Sequence, residues 1–344
     1  MRRSENPGHA TPLTAVFVLD ISASTGPLLA GWLEAGHRIG AIVVPAFRRR
    51  PQGLTIGNFR RRLKRRFLLS RYIGAARVKL IEFGRPYDWE KLGRELAGGQ
   101  ADVLICHAFP NRIPADLLGG FAMGGLNLHP ALLPAYRGPH PIHRLVVDGL
   151  HASHGGVTLH KMSAGFDEGD IVAQVTFSNA DWASTEILAD RIATAMRMLV
   201  SEAAPAYCRG LLPGEPQPAG DFAWARLESR HLMIAATMSI DHVARLWRVM
   251  GMMPGIYIAS GGSKVRLGLR IARLGPPTGE PPVKRWGTVV FDLADGRVLH
   301  LTYTRLVKRL VHLKRLVARV PPRTSPLEIR TFGKVPPDGG HTLP

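Results

Sequence analysis

The sequence predicts an α/β protein in which a doubly wound, mostly parallel sheet is followed by a small β-rich C-terminal domain. Three observations lead there. Before residue 207, short β-branched apolar runs alternate with helical stretches, the pattern of βαβ units and parallel sheets. Leu211 to Asp221 (LLPGEPQPAGD) then holds three prolines and two glycines, a linker composition. Beyond it, short strand patterns recur between turn signals, as in a small β barrel or sheet.

The elements follow in order. Thr14 to Asp20 (TAVFVLD) reads as a strand, Pro27 to Ala35 as a helix closed by Gly36, and Arg38 to Val44 (RIGAIVV) as a second strand. Val78 to Phe83 is a third strand, Trp89 to Leu96 a helix, and Ala101 to His107 (ADVLICH) a buried strand. Gly124 to Gly138 (GGLNLHPALLPAYRG) mixes glycine, proline and polar groups in an apolar context and reads as a loop, before Val157 to Met162 resumes as a strand. Loops that follow strands in such sheets are where ligands bind. A helix from Thr185 to Ala204 closes the first domain. After the linker, Ser239 to Met250 is a helix with Ser239 as its N-cap. Strands are expected at Gly255 to Ala259, Ser263 to Ile271, Trp286 to Leu293 and Arg297 to Tyr303. Thr304 to Val320 then aligns Leu306, Leu310, Leu313, Val317 and Val320 on one helical face. The expected division is 12–206 for the first domain, 207–222 for the linker, 223–304 for the β-rich domain and 305–344 for a basic tail.

Composition narrows the class. With 344 residues, 45% of them hydrophobic, the chain has ample apolar side chains for a core and is not a disordered protein. Two cysteines cannot build a disulfide framework or a Cys-type zinc site, so a reducing compartment is expected. No apolar run approaches the roughly 18 residues of a spanning helix, and the opening MRRSENPGHATP is a poor secretory signal. The expected location is the cytoplasm. The net charge of +19 is clustered: the arm 48–79 holds twelve Lys or Arg, Arg60, Arg61 and Arg62 among them, and no acid. Arg305 to Arg319 adds six more without an acid. Clusters of this kind collect phosphates. The second could also lie on an anionic membrane surface or be a solvated helix.

The central loop carries the chemistry. Asn127 and His129 are two apart, and in extended backbone residues i and i+2 point to one side. An amide and an imidazole would thus converge at a sheet edge, which suits a reaction where a carbonyl oxygen becomes an oxyanion while a proton moves near neutral pH. A carboxylate would complete the set, and Asp167 in Gly165 to Ile171 (GFDEGDI) leads, with Glu168 and Asp170 as competitors. The chain has no G-x-S-x-G elbow, no GxxxxGK[ST], no G-x-G-x-x-G after the first strand and no H-E-x-x-H, which disfavours serine hydrolysis, NTP hydrolysis, dinucleotide chemistry and the commonest zinc proteases. Direct acyl transfer between two bound substrates remains. His107, His140 and His143 lack carboxylate or cysteine partners of metal-site type, and no metal is expected.

The run from Asn127 through His129, Ala131-Leu132-Leu133-Pro134 and Tyr136-Arg137-Gly138, then Pro141-Ile142, Gly156-Val157-Thr158 and Asp167-Glu168-Gly169-Asp170, resembles the folate-dependent formyltransferase family. The resemblance spans Val103 to Glu202 by motif and Thr14 to Asp102 by topology. It implies a Rossmann-like fold, 10-formyltetrahydrofolate as donor and a primary amine as acceptor. It further implies that Asn127 donates to the formyl oxygen, that His129 stabilises the oxyanion and moves a proton, and that Asp167 holds His129. Ala131, Leu132, Leu133 and Pro134 would line the folate pocket. Arg137 would bind an acceptor phosphate or brace the loop against Asp170. Ser239 to Val265 is similar to the C-terminal domain of the methionyl-tRNA branch, and the arm 48–79 resembles that branch's inserted basic loop, so tRNA is the expected acceptor and an amino sugar or other small amine the alternative. A third reading is a homologue that binds nucleic acid or membrane without catalysis. The sequence departs from the family at Ala131, at Arg137-Gly138-Pro139-His140-Pro141 and at Val18 to Ser22, all on the side expected to meet the acceptor.

Overall fold

The computed structural model describes residues 11–46, 69–70, 72, 78–220, 222, 224–250, 254–310 and 326–332. The basic arm, with Arg60, Arg61 and Arg62, lies almost wholly outside the described residues, as does 311–325.

The first domain is built on an eight-stranded sheet. In chain order the strands are β1 Thr14–Leu19, β2 Arg38–Pro45, β3 Lys79–Phe83, β4 Val103–His107, β5 Gly125–His129, β6 Gly156–Lys161 and β7 Ile171–Thr176. Their spatial order is β7-β6-β5-β4-β1-β2-β3, with an eighth strand beyond β7. From β3 to β5 all neighbours are parallel, whereas β6 and β7 run antiparallel. Its helices include α1 Thr25–Glu34, α2 Trp89–Ala97, α3 Ala115–Gly119, α4 Pro141–Val147 and α5 Thr185–Met198.

Ala15 to Leu19 are all buried, as expected of a parallel strand covered on both faces. Phe17 and Leu19 meet α1 through Leu28, Leu29 and Trp32. Val16 and Val18 meet Leu92 and Leu96 of α2 and Leu117 and Leu118 of α3 on the opposite face. Gly31 lets α1 approach α5 closely, since a Cβ there would stand 2.8 Å from Arg197.

The expected helix to Ala204 is interrupted. After α5 the chain makes a π turn over Leu199–Ala203 and restarts as a helix over Ala204–Cys208, with Pro205 at its first turn. Proline supplies no N–H to the preceding carbonyl, and a π turn absorbs that loss. The central loop is also partly a strand: β5 contains both Asn127 and His129, hydrogen-bonded between β4 and β6.

The second domain opens with α6 Ile240–Met250, where the Ser239 hydroxyl accepts from the His242 N–H at 3.2 Å. Its strands, β8 Tyr257–Ser260, β9 Ser263–Gly275, β10 Val283–Arg285, β11 Thr288–Leu293 and β12 Gly296–Thr302, form an antiparallel sheet in the order β10-β11-β12-β9-β8. Residues 305–310 are helical; Val307 is buried while Leu306 and Leu310 are exposed. The segment expected as a tail returns to the first domain: β13 Ile329–Thr331 pairs antiparallel with β7, covering an edge that would otherwise present unpaired backbone groups. No helix among the described residues is long and apolar enough to cross a membrane.

His300 on β12 is fully buried, stacks on Phe291 at 5.5 Å and has no partner for either ring nitrogen among the described residues. Burial, with the Arg270 charge adding to it, pushes the imidazole down to about 4. The unfolded chain therefore takes up a proton between the ordinary histidine value of 6.5 and about 4 that the folded chain refuses. Stability is complete above that window and declines as pH falls through it, by up to about 3 kcal/mol. The expected outcome is that His300→Phe flattens the acid side of the melting-temperature profile between pH 6.5 and 4, as read by calorimetry; an unchanged acid slope contradicts it.

Candidate active site

β1 and β4 are adjacent although their crossovers leave in opposite directions, and ligands in open α/β sheets bind at this point, outside the carboxyl ends of the strands. A cleft of about 490 Å³ lies there. Its floor is the end of β5, one wall is the segment after β4 (His107 to Ile113), and the other combines Gly138 to Pro141 with Gly165 to Asp167 and Trp224.

Asn127, His129 and Asp167 converge in this cleft. β5 places Asn127 and His129 on one face, and the antiparallel pairing with β6 sets His160 directly opposite Asn127, where facing side chains on one sheet surface meet. Asn127 Nδ2 donates to His160 Nε2 at 3.0 Å and to Asp167 Oδ1 at 3.1 Å, so both amide hydrogens are engaged. Asp167 Oδ2 accepts from the Gly138 N–H at 2.9 Å and lies 3.5 Å from His129 Nδ1. Asp167 sits in the left-handed region with φ 57°, a conformation that Asp tolerates better than most residues.

The two imidazoles are oriented by main-chain carbonyls. His129 Nε2 donates to the Tyr136 carbonyl at 2.8 Å, and His160 Nδ1 donates to the Lys161 carbonyl at 2.7 Å. Neutral His129 presents its Nδ1 lone pair toward Asp167. Burial pushes the His129 imidazole below its ordinary value, while the Asp167 carboxylate pulls it back up. Burial works against the charged form of Asp167, but the polar surroundings gathered on it, the His160 and His129 rings and the Gly138 N–H, outweigh it and hold the carboxyl at about 2. The resulting unit is a neutral base beside a fixed anion.

The residues expected to line a folate pocket, Ala131 to Pro134, are not among those that line this cleft. Ala131 and Leu133 are buried, and Leu132 packs where a Cβ on Gly156 would stand 2.5 Å from it. Thr158 Oγ1 donates to the Ala131 carbonyl and accepts the Leu133 N–H, and Gln174 Nε2 donates to the Leu133 carbonyl. These interactions hold Ala131 to Leu133 against β6 and β7, and the wall of the cleft opposite Gly138 to Pro141 is supplied by His107 to Ile113. Sequence reasoning had no spacing signal for that wall, because its residues point into the cleft only once β4 ends at His107.

Arg137 is taken up within the protein. Its Nε and a terminal nitrogen donate to Gln217 Oε1 at 3.0 and 2.6 Å, and the guanidinium lies 5.0 Å from the Phe222 ring centroid. Asp170, its expected brace, instead faces Lys161 at 3.5 Å. His107 donates through Nδ1 to the Leu128 carbonyl at 3.1 Å, leaving Nε2 to accept from Ser24 at 3.2 Å. His140 Nδ1 accepts the Leu227 N–H at 3.3 Å.

Four contributors were not anticipated from sequence. His160 required the β5/β6 register. Gln217 belongs to a stretch read as a plain linker, Trp224 to the start of the expected β-rich domain, and Phe166 adjoins Asp167 without a recognisable spacing. Phe166 and Trp224 are 45% and 47% exposed at the cleft mouth, with ring centroids 6.1 Å apart. Trp224 lies over Gly138, where a Cβ would stand 2.9 Å from the indole, and Gly138 has φ 111°.

The fold and site define a Rossmann-like α/β enzyme with an amide, imidazoles and a carboxylate gathered at the sheet's switch point. Comparison with known proteins makes the class specific. A family model described as formyl transferase matches residues 83–204. The methionyl-tRNA formyltransferase of Methylibium petroleiphilum is 31% identical over 231 residues, covering 67% of this chain and 70% of that protein. Among solved structures, HypX from Aquifex aeolicus superposes with a TM-score of 0.59 at 18% identity, over 88% of this chain and 48% of that one. An N-formyltransferase from Helicobacter canadensis, in complex with folinic acid and dTDP-3-aminofucose, superposes with a TM-score of 0.54 at 13% identity, over 84% and 99% of the two chains. This chain belongs to the folate-dependent formyltransferase family, a family of formyl-transferring enzymes.

The electrostatics of the pair carry a direct test. Replacing Asp167 by Asn removes the attraction that raises the His129 imidazole, so its titration midpoint should fall below that of the parent. Histidine-labelled NMR, assigned by comparison with His129→Ala, reads it; an unmoved or raised midpoint contradicts the coupling.

Proposed function

We propose that this protein transfers the formyl group of 10-formyltetrahydrofolate to a primary amine, and the observation that carries the reading is the convergence of Asn127, His129 and Asp167 in one cleft at the ends of β4 and β5. The neutral amine attacks the formyl carbon, and the carbonyl oxygen becomes an oxyanion. Asn127 reaches that oxygen by exchanging one of its two present partners. His129 Nδ1 takes the proton leaving the amine, and the imidazolium is stabilised by Asp167 3.5 Å away. As the bond from the formyl carbon to N10 breaks, its electron pair returns to N10 with a proton from the same imidazolium. A base held below the ordinary histidine value is free of protons at neutral pH, as this sequence requires.

For the acceptor, the first reading is methionyl-tRNA. Relatives that match by sequence include methionyl-tRNA formyltransferases, the charge is +19, and the arm 48–79 holds twelve cations without an acid, a composition that suits phosphate backbones. A second reading is an amine on a nucleotide-linked sugar. It is favoured by the half-exposed Phe166 and Trp224 at the cleft mouth with exposed Arg112 and Arg226 near them: planar rings stack on aromatics, and phosphates follow cations.

His129→Ala should lower turnover about 10²- to 10⁴-fold, the usual worth of a general base, with the melting temperature close to the parent's; unchanged turnover removes His129 from the reaction. Incubation with 10-formyltetrahydrofolate and either charged initiator tRNA or nucleotide-linked amino sugars separates the acceptors. If tRNA is the substrate, replacing Arg60, Arg61 and Arg62 by Ser should weaken binding and reduce its salt dependence. If the nucleotide-linked amine is the substrate, Trp224→Ala should raise the acceptor KM and leave the folate KM alone.

A further inference from the structure

The stretch between the two domains reads as an ordinary linker, yet its polar groups are spent on the catalytic loop. Glu215 exchanges both backbone hydrogen bonds with Ile171, at 2.8 and 2.9 Å, which sets the register of the strap against β7. Two residues on, Gln217 Nε2 donates to the carbonyls of Asp167 at 2.8 Å and Gly169 at 2.7 Å. Its Oε1 accepts both Arg137 contacts. A primary amide has two hydrogens and two lone pairs to offer, and all four are used. Gln217 therefore bridges the two loops that grip Asp167: the Gly165 to Asp170 turn on which the carboxylate is mounted, and the Arg137-Gly138 turn whose N–H holds Oδ2.

We propose that Gln217 is the positioning residue for Asp167, fixing the left-handed turn so that its carboxylate meets His129 Nδ1 and Asn127 together. This rests on the proposed role of Asp167 and His129. Several arguments favour positioning over generic packing. The bonds to Gln217 fall on the peptide oxygens of Asp167 and Gly169, so they set the direction of the Asp167 side chain without touching it. A non-glycine residue at φ 57° is held there only by surroundings that determine it. No shorter amide spans the same four contacts, and a carboxylate of equal length retains the Arg137 contacts while losing both donors.

That last property gives the test. In the full-length chain, Gln217→Glu and Gln217→Leu are compared with Asp167→Asn and with the double variant Asp167→Asn/Gln217→Glu. The readouts are the His129 titration midpoint by NMR, which needs no acceptor, and kcat and KM with whichever acceptor above turns over. Both Gln217 variants are expected to lower the His129 midpoint toward that of Asp167→Asn. They should also lower kcat by about 10²-fold, the order that a displaced catalytic group costs, with the folate KM little changed. The double variant is expected to show no further fall, because residues acting through one another are non-additive. Midpoints that stay at the parent value in both Gln217 variants while Asp167→Asn shifts overturn the inference and leave the site intact. An unmoved midpoint in Asp167→Asn itself refutes the site reading instead. Failure of both Gln217 variants to fold, or additive losses in the double variant, assigns Gln217 to structure alone.

Discussion

One buried charge organises this protein. The Asp167 carboxylate is removed from water, a placement that is costly unless hydrogen bonds replace the lost solvation. Its donors come from two parts of the chain, the Asn127 amide on β5 and the Gly138 N–H in the following loop, while the His129 and His160 rings of β5 and β6 close around it at 3.5 Å. Each must be in place for the charge to be tolerated. The requirement therefore ties together the end of β5, the register of β6 and the turn before β7, and the chemistry that follows uses a geometry that stability already demands.

The sheet explains how those parts meet. Parallel strands β3 to β5 bring several carboxyl ends to one edge, and the switch between β1 and β4 opens a cleft there. The change to antiparallel pairing at β6 matters as much. A parallel neighbour would have run alongside β5 in the same direction, whereas the antiparallel one returns across it and sets His160 opposite Asn127. Beneath this edge, Thr158 and Gln174 pin the backbone of Ala131 to Leu133, so that the turn after His129 is a rigid support for the Tyr136 carbonyl that orients the imidazole.

The region joining the domains is a working part of the site. It bonds the turns around Asp167 through Glu215 and Gln217, lays Trp224 over Gly138, and pairs Ala225 with the backbone at Arg137 and His140. Domain connection and site geometry are thereby coupled. The return of Ile329–Thr331 to the edge of β7 binds the two domains a second time, on the far side of the sheet from β3.

Sequence alone determined the alternation of strands and helices, the β-rich second domain and the pairing of Asn127 with His129 on one side of an extended segment, because hydrophobic period and strand alternation are local properties of the chain. It also led to Asp167, through a motif resemblance over Glu168 and Asp170, and to the class of reaction. It passed over His160, Gln217 and the wall from His107 to Ile113. What a loop residue faces depends on which strand lies beside it and in what register, and register is set by contacts between segments far apart in the chain. Tertiary structure alone decided that Thr158 and Gln174 pin the turn after His129, that a linker glutamine bonds the turn bearing Asp167, and that Arg137 is paired with that glutamine.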